Sequence, residues 1–301
     1  MPTVFLNGKF LEREEARVSA FDAGFQHGVG LFETMLARLD EGEAAVFRLE
    51  QHLDRLIGSA KDLGLSDSLK RNALAEAVRT TAEKSALPKS RIRLTITGGD
   101  LNLLSTAGAR GTDPTVLIVA QPATEYPPEM FDRGVSVVIA DARANPLNPF
   151  EGHKSLNYWW RLRSLQEAAA RRAAESIVLQ VSNHLCGGCV SNLFIAKGGV
   201  LYTPIARGEE EPGAIPSPVL PGVVRSAVIE WASEKRIGVS RQMLSVNDLM
   251  DADEIFLTNS SWGVLPVVKV EAEAVGDGVV GEVSKAMRER WMAETDAVAG
   301  S

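Results

Sequence analysis

Cysteine is nearly absent: the 301 residues hold two, Cys186 and Cys189. Two thiols so close together cannot form the disulfide framework of a secreted domain, and both are expected to be reduced. Positive charge is also short, with 32 Lys and Arg against 39 Asp and Glu, a formal net charge of −7. With no basic stripe to offset it, that balance argues against a nucleic-acid partner. No apolar run is long enough to span a bilayer, and Met1-Pro2-Thr3-Val4-Phe5 lacks a basic region followed by an apolar core. A cytoplasmic protein without a membrane partner is expected. What is present is ordinary: 45% hydrophobic and 24% charged residues, the composition of a globular protein. The length allows one large or two medium domains.

Periodicity gives the elements. Asn7-Gly8 between Val4-Phe5-Leu6 and Phe10-Leu11 predicts a hairpin with a type I′ turn. Leu49, Leu53, Leu56, Ile57, Ala60 and Leu63 recur at helical spacing before Gly64, with Arg55 off the apolar stripe. A second helix is expected from Ser68 to Ser85, capped by Ser66 or Asp67. Arg91 to Thr97 alternates as a strand, and Pro114 to Val119 supplies another. The stiff, aperiodic Gln121-Pro122-Ala123-Thr124-Glu125-Tyr126-Pro127-Pro128 marks a linker, placed at 122–131 between domains at 1–121 and 132–301. Beyond it come a buried strand at Ser176 to Val181 and a hairpin about Gly198-Gly199. A helix opens at Leu220-Pro221-Gly222, and another runs from Val283 to Met292, with 296–301 fraying.

The chemistry centres on Gly152-His153-Lys154-Ser155-Leu156-Asn157-Tyr158-Trp159-Trp160. Its lysine follows a loop rich in proline and asparagine and precedes a helix with Leu162, Leu165, Ala169 and Ala173 as the apolar face. A lysine there becomes a nucleophile when desolvation or a nearby cation lowers its pKa, and it then forms a Schiff base with an aldehyde. His-Lys-Ser-Leu-Asn-Tyr resembles the Schiff-base motif of the class IV (fold type IV) pyridoxal-phosphate enzymes: branched-chain and D-amino-acid aminotransferases and aminodeoxychorismate lyases. The resemblance runs in order from Phe5 to about Trp291.

The resemblance implies an α/β (α+β) fold in two domains, a smaller N-terminal α/β domain and a larger C-terminal pseudo-barrel carrying the lysine. It implies pyridoxal 5'-phosphate as cofactor, Lys154 as catalytic residue and a homodimer. Cofactor contacts fall on Arg55, Lys154, Tyr158, Gly187, Asn192, Gly222, Val223, Val224, Ser260 and Ser261. A guanidinium fork suits a phosphate, and so do the amides opening a helix at Gly222. Phe32 and Thr34 are the pocket candidates. Many relatives carry a carboxylate-binding arginine after the strand's last threonine; this chain has Gly98-Gly99-Asp100, leaving Arg91 or Arg93 as substitutes.

One departure is chemical. The family sets a glutamate beside the cofactor's pyridine nitrogen, five positions before Asn192-Leu193-Phe194, and here that position is Gly187. A restored glutamate is expected to raise the rate if the protein is merely crippled, and to give no gain or a loss if Cys186, Cys189 or a water serves the nitrogen instead. His184, Cys186 and Cys189 have zinc-ligand chemistry, but three ligands in one hairpin with no fourth make a poor site, and no metal is expected. The reading is a class IV aminotransferase-like enzyme acting on an amino acid or related amine through Lys154. Two alternatives stand beside it: an aminodeoxychorismate lyase releasing pyruvate and 4-aminobenzoate, and a cofactor-binding protein of weak or no catalysis because of Gly187.

Overall fold

The computed structural model describes residues 3–100 and 114–297. Two compact units divide the chain: Met1–Thr124 with His153–Asn157 and Glu294–Ser301, and Glu125–Gly152 with Tyr158–Ala293.

In the first unit the order is β1 (Val4–Leu6), β2 (Lys9–Leu11), α1 (Ala23–His27), β3 (Gly30–Asp40), β4 (Glu43–Val46), α2 (Leu49–Asp62), α3 (Arg71–Ser85), β5 (Lys89–Thr97) and β6 (Val116–Pro122). Asn7 and Gly8 both take positive φ, 47° and 85°, as a type I′ turn requires. The strands form one sheet ordered β2-β1-β6-β5-β3-β4. Alternation decides its two faces: Leu31 and Met35 of β3 and Ile92, Leu94 and Ile96 of β5 are buried in one core with Leu53 and Leu56 of α2. Helix α3 starts later than expected. Ser66 Oγ accepts from Ser68 N at 3.3 Å rather than capping a helix, and the N-cap is Lys70, without a side-chain bond.

The second unit holds α4 (Glu129–Asp132), β7 (Val135–Ala144), α5 (Trp159–Ala170), β8 (Glu175–Gln180), β9 (Leu185–Gly188), β10 (Asn192–Lys197) and β11 (Val200–Pro204). Then come α6 (Val223–Glu234), β12 (Gly238–Gln242), α7 (Val246–Met250), β13 (Glu254–Asn259), β14 (Gly263–Val270), β15 (Glu273–Ala274) and α8 (Glu282–Ala297). Its sheet runs β12-β11-β10-β13-β14-β7-β8-β9, with β15 beside β14. Strand β8 is buried throughout because Ile177 and Leu179 enter one apolar cluster and Val178 another.

Three expectations change. The lysine segment packs with the N-terminal unit instead of the C-terminal one, because β4 covers β3 only from Ala37 to Asp40 and residues 154–156 take the open edge near Gly30. Helix α5 buries Ser164 and Ala168, while Leu162 stays 50% exposed. Arg161, held by Glu151 at 2.8 Å and lying 4.4 Å over the Trp160 ring, turns the 161/164/165/168 face inward instead. Helix α8 continues to Ala297, and its last turn is tied to the first unit by Arg48 Nε to Glu294 at 2.8 Å and by an Arg38–Asp296 ion pair. Residues 298–301 lie outside the described residues.

Candidate active site

Lys154 is placed by backbone pairing. Its carbonyl accepts from Phe32 N at 2.9 Å, Leu156 N donates to Gly30 O at 2.9 Å, and Leu31 and Ser155 form the bridge between them. His153 is pinned in turn by Ser59 Oγ of α2, 2.9 Å from Nδ1. The Lys154 amine lies 4.3 Å from the centroid of the Phe32 ring, and the Arg93 guanidinium lies 3.8 Å from it. Two cations therefore meet one aromatic ring.

Register separates the pocket candidates. Thr34 pairs with Arg93 and Phe32 with Thr95, so all four side chains share one face of the sheet. Arg91 lies further along that face, beside Gln121, whose Oε1 accepts from Nη2 at 2.6 Å. Of the two substitute arginines, Arg93 is the one brought to Phe32 and Lys154.

The opposite face of β3 carries Glu33, which the sequence reading missed. Arg55 grips it with a fork, Nε to Oε1 at 2.8 Å and Nη2 to Oε2 at 2.6 Å, and His52 Nδ1 bonds Oε2 at 2.7 Å. Burial alone would raise the Glu33 pKa, but Arg55 and His52 outweigh it and bring the carboxyl to about 2. His52 is pushed down, first by burial and despite Glu33, so it is neutral and donates from Nδ1. The signal for this group was an acid inside an otherwise apolar strand, facing His and Arg three residues apart on a helix. A depressed acid stabilises the fold above its unfolded pKa and loses that contribution as pH falls through the folded one. From 4.5 down to about 2, on the order of 3 kcal/mol should disappear. Urea titrations at pH 7 and pH 3 check this: a folded carboxyl near 2 is still ionised at pH 3, so Glu33→Gln should shrink the difference by about 2 kcal/mol, and an unchanged difference would contradict it.

In the second unit, helix α6 opens at Gly222 with no side-chain cap. The Val223 and Val224 amides therefore lie in the first turn, where the helix offers no internal acceptor. Asn192 braces this turn: Nδ2 donates to Leu220 O at 2.8 Å, and a Cβ on Gly222 would come within 3.0 Å of Asn192 Cγ. Thr258 of β13 pairs with Asn192, on the same face, and its hydroxyl is buried without a hydrogen-bond partner among the described residues. Ser260 and Ser261 follow in a turn built by Asn259, whose Oδ1 accepts from Ser261 N at 2.9 Å and Trp262 N at 3.0 Å. Tyr158 is the half-buried N-cap of α5, its ring 5.9 Å from the Arg161 guanidinium.

Residues 30–270 match the model of the family described as amino-transferase class IV. The chain belongs to that family. A putative branched-chain-amino-acid aminotransferase of Methanocaldococcus jannaschii is 32% identical, over 96% of this chain and 94% of the relative. The crystal structure of the Escherichia coli branched-chain amino acid aminotransferase superposes with TM-score 0.87 at 30% identity, covering 97% of this chain and 93% of that one. The 4-amino-4-deoxychorismate lyase of Pseudomonas aeruginosa superposes with TM-score 0.81 at 26% identity, covering 97% and 99%. The architecture is thus fold type IV, and the family's enzymes depend on pyridoxal 5'-phosphate.

The residues present fit that cofactor. The first unit offers an amine and a guanidinium, and the second offers a helix start without a side-chain cap and the Thr258 hydroxyl, which are donors of the kinds an aldehyde and a phosphate need.

The position of the missing class IV glutamate is built differently. Gly187 has φ +152°, and a Cβ there would stand 2.8 Å from Ser191 O. The nearby carboxylates are committed elsewhere. Glu175 accepts from Ser176 N, Cys189 N, Val190 N and Ser191 Oγ at 3.0 to 3.2 Å, and Glu151 holds Arg161. Burial raises the Glu175 pKa to about 7 against those four donors. Burial also works against the charge of Arg161, but Tyr158, Glu151 and Cys186 outweigh it and keep its pKa above the ordinary value. Cys186 and Cys189, pushed by burial up to about 12, are neutral thiols.

Restoring the acid therefore carries a structural cost. Gly187→Glu should destabilise the protein by roughly 1–3 kcal/mol through backbone strain alone, and more through the contact with Ser191. Thermal melts of Gly187→Ala and Gly187→Glu check this; wild-type stability in both would contradict it.

Proposed function

We propose that this protein is a branched-chain amino acid aminotransferase, with Lys154 as its catalytic residue. The observation that carries the reading is the Phe32 ring with the Lys154 amine and the Arg93 guanidinium both against it. An aromatic wall suits an aliphatic side chain, and Arg93 supplies the fork for the substrate carboxylate. Pyridoxal 5'-phosphate, when bound, takes up the substrate's amino group and spreads the negative charge left when the α-carbon proton departs. Lys154 Nζ would be the amine that holds the cofactor through its aldehyde, and would carry the α-carbon proton as general base and acid. Each unit brings its own phosphate donors: Arg55 in the first, and in the second the Val223 and Val224 amides and Ser260, with Ser261 next to it; Asn192 and Gly222 shape the helix start, and Thr34 lines the first unit's pocket face with Phe32. The protein acts as a homodimer.

The alternative is lyase chemistry, favoured by the likeness to the Pseudomonas aeruginosa enzyme. Incubation with leucine, isoleucine or valine and 2-oxoglutarate should yield the matching keto acids. Release of 4-aminobenzoate from aminodeoxychorismate, without keto-acid formation, would replace the aminotransferase reading. Turnover of neither would support a cofactor-binding protein without catalysis.

A further inference from the structure

With Arg55, Glu33 and His52 place three polar groups inside an apolar strand–helix core. Glu33 and His52 are both fully buried, and the Arg55 side chain is 11% exposed. Burying such groups is costly, and an apolar trio of similar volume would stabilise the fold as well or better. What the trio provides is direction. His52, Arg55 and Ser59 stand at i, i+3 and i+7 on α2, one stripe of the helix. Ser59 fixes His153, next to Lys154. His52 and Arg55 close on Glu33, whose neighbour Phe32 donates its amide to the Lys154 carbonyl. One helix face thus positions both the lysine segment and the arginine.

The fork has two ends. Glu33 occupies the Nε–Nη2 edge of Arg55 through both oxygens. A planar guanidinium held along that edge cannot rotate, and its far fork, formed by Nη1 and the second hydrogen of Nη2, keeps a fixed heading. His52 Nδ1 bonds Oε2 as well, 3.5 Å from Arg55 Nη2, and so adds a third hold that stops the carboxylate from turning.

We propose that Glu33 and His52 are positioning residues that aim the Arg55 guanidinium at the cofactor phosphate. This rests on the reading that Arg55 binds that phosphate. The trio then affects affinity for the phosphate ester and not for the unphosphorylated aldehyde, which a merely structural trio would not distinguish.

The test is titration of the full chain, stripped of cofactor, with pyridoxal 5'-phosphate and separately with pyridoxal. Each variant is checked for folding by circular dichroism. Glu33→Gln and His52→Leu should weaken pyridoxal 5'-phosphate by about tenfold or more and leave pyridoxal within about twofold of wild type. His52→Asn, whose amide nitrogen can stand where Nδ1 stood, should recover most of the loss. If Glu33→Gln fails to fold, the two His52 variants decide. Equal losses for both aldehydes, or no loss in a folded variant, would overturn the proposal. Arg55→Lys keeps the charge without the fork and tests the underlying reading separately. If it too left the ratio of the two affinities unchanged, Arg55 would not be on the phosphate at all.

Discussion

Lys154→Ala should abolish turnover and the absorption band of the lysine-bound cofactor, while the protein stays folded. The backbone bonds that place residue 154, Phe32 N to its carbonyl and Leu156 N to Gly30 O, do not involve the side chain. The lost amine–ring contact with Phe32 is worth about 0.5–1 kcal/mol at a partly exposed site, too little to unfold a domain. Chemistry should suffer far more, because in the proposed function one amine both anchors the cofactor and moves the α-carbon proton. A folded Lys154→Ala protein with wild-type absorption, or with measurable transamination, would show that another residue does this work.

The second large effect is expected at Arg55. Arg55→Ala should weaken cofactor affinity about ten- to a hundredfold, the equivalent of a charge-assisted contact of roughly 1.5–3 kcal/mol. The sequence alone predicts little effect on folding. The structure changes that, because removing the guanidinium strands a fully buried Glu33 carboxylate. Breaking a buried pair from one side costs about 3–5 kcal/mol, relieved only in part by protonation. The melting temperature should fall with the affinity, and the double variant Arg55→Ala/Glu33→Gln should regain stability but not affinity. If Arg55→Ala melted like the wild type, the buried pair would not hold the fold as described.

Much of this was legible before any coordinates. Period-2 and period-3.6 patterns located β5, α2 and α6 because their apolar faces are continuous. The proposed phosphate donors were named from short motifs, because a guanidinium on a helix and a glycine opening a helix have local chemistry. What failed was non-local. The buried face of α5 is set by Arg161, whose partner Glu151 lies outside the helix, so counting Leu162 and Ala169 as core misled. Lys154 joined the N-terminal unit because β4 is too short to cover β3, a fact of sheet pairing that no window of sequence contains. Glu33 was passed over because an acid beside Phe32 in an apolar run has meaning only once α2 is packed on it. At Gly187 the sequence showed that an acid was missing, but not that φ and the Ser191 carbonyl leave no room for one.

The most direct test of the central claim is borohydride reduction of the wild-type protein loaded with pyridoxal 5'-phosphate, followed by proteolysis and mass analysis of the peptides. The account predicts a single reduced phosphopyridoxyl adduct, on the peptide containing His153-Lys154-Ser155. An adduct confined to any other lysine, or no adduct at saturating cofactor, would contradict it.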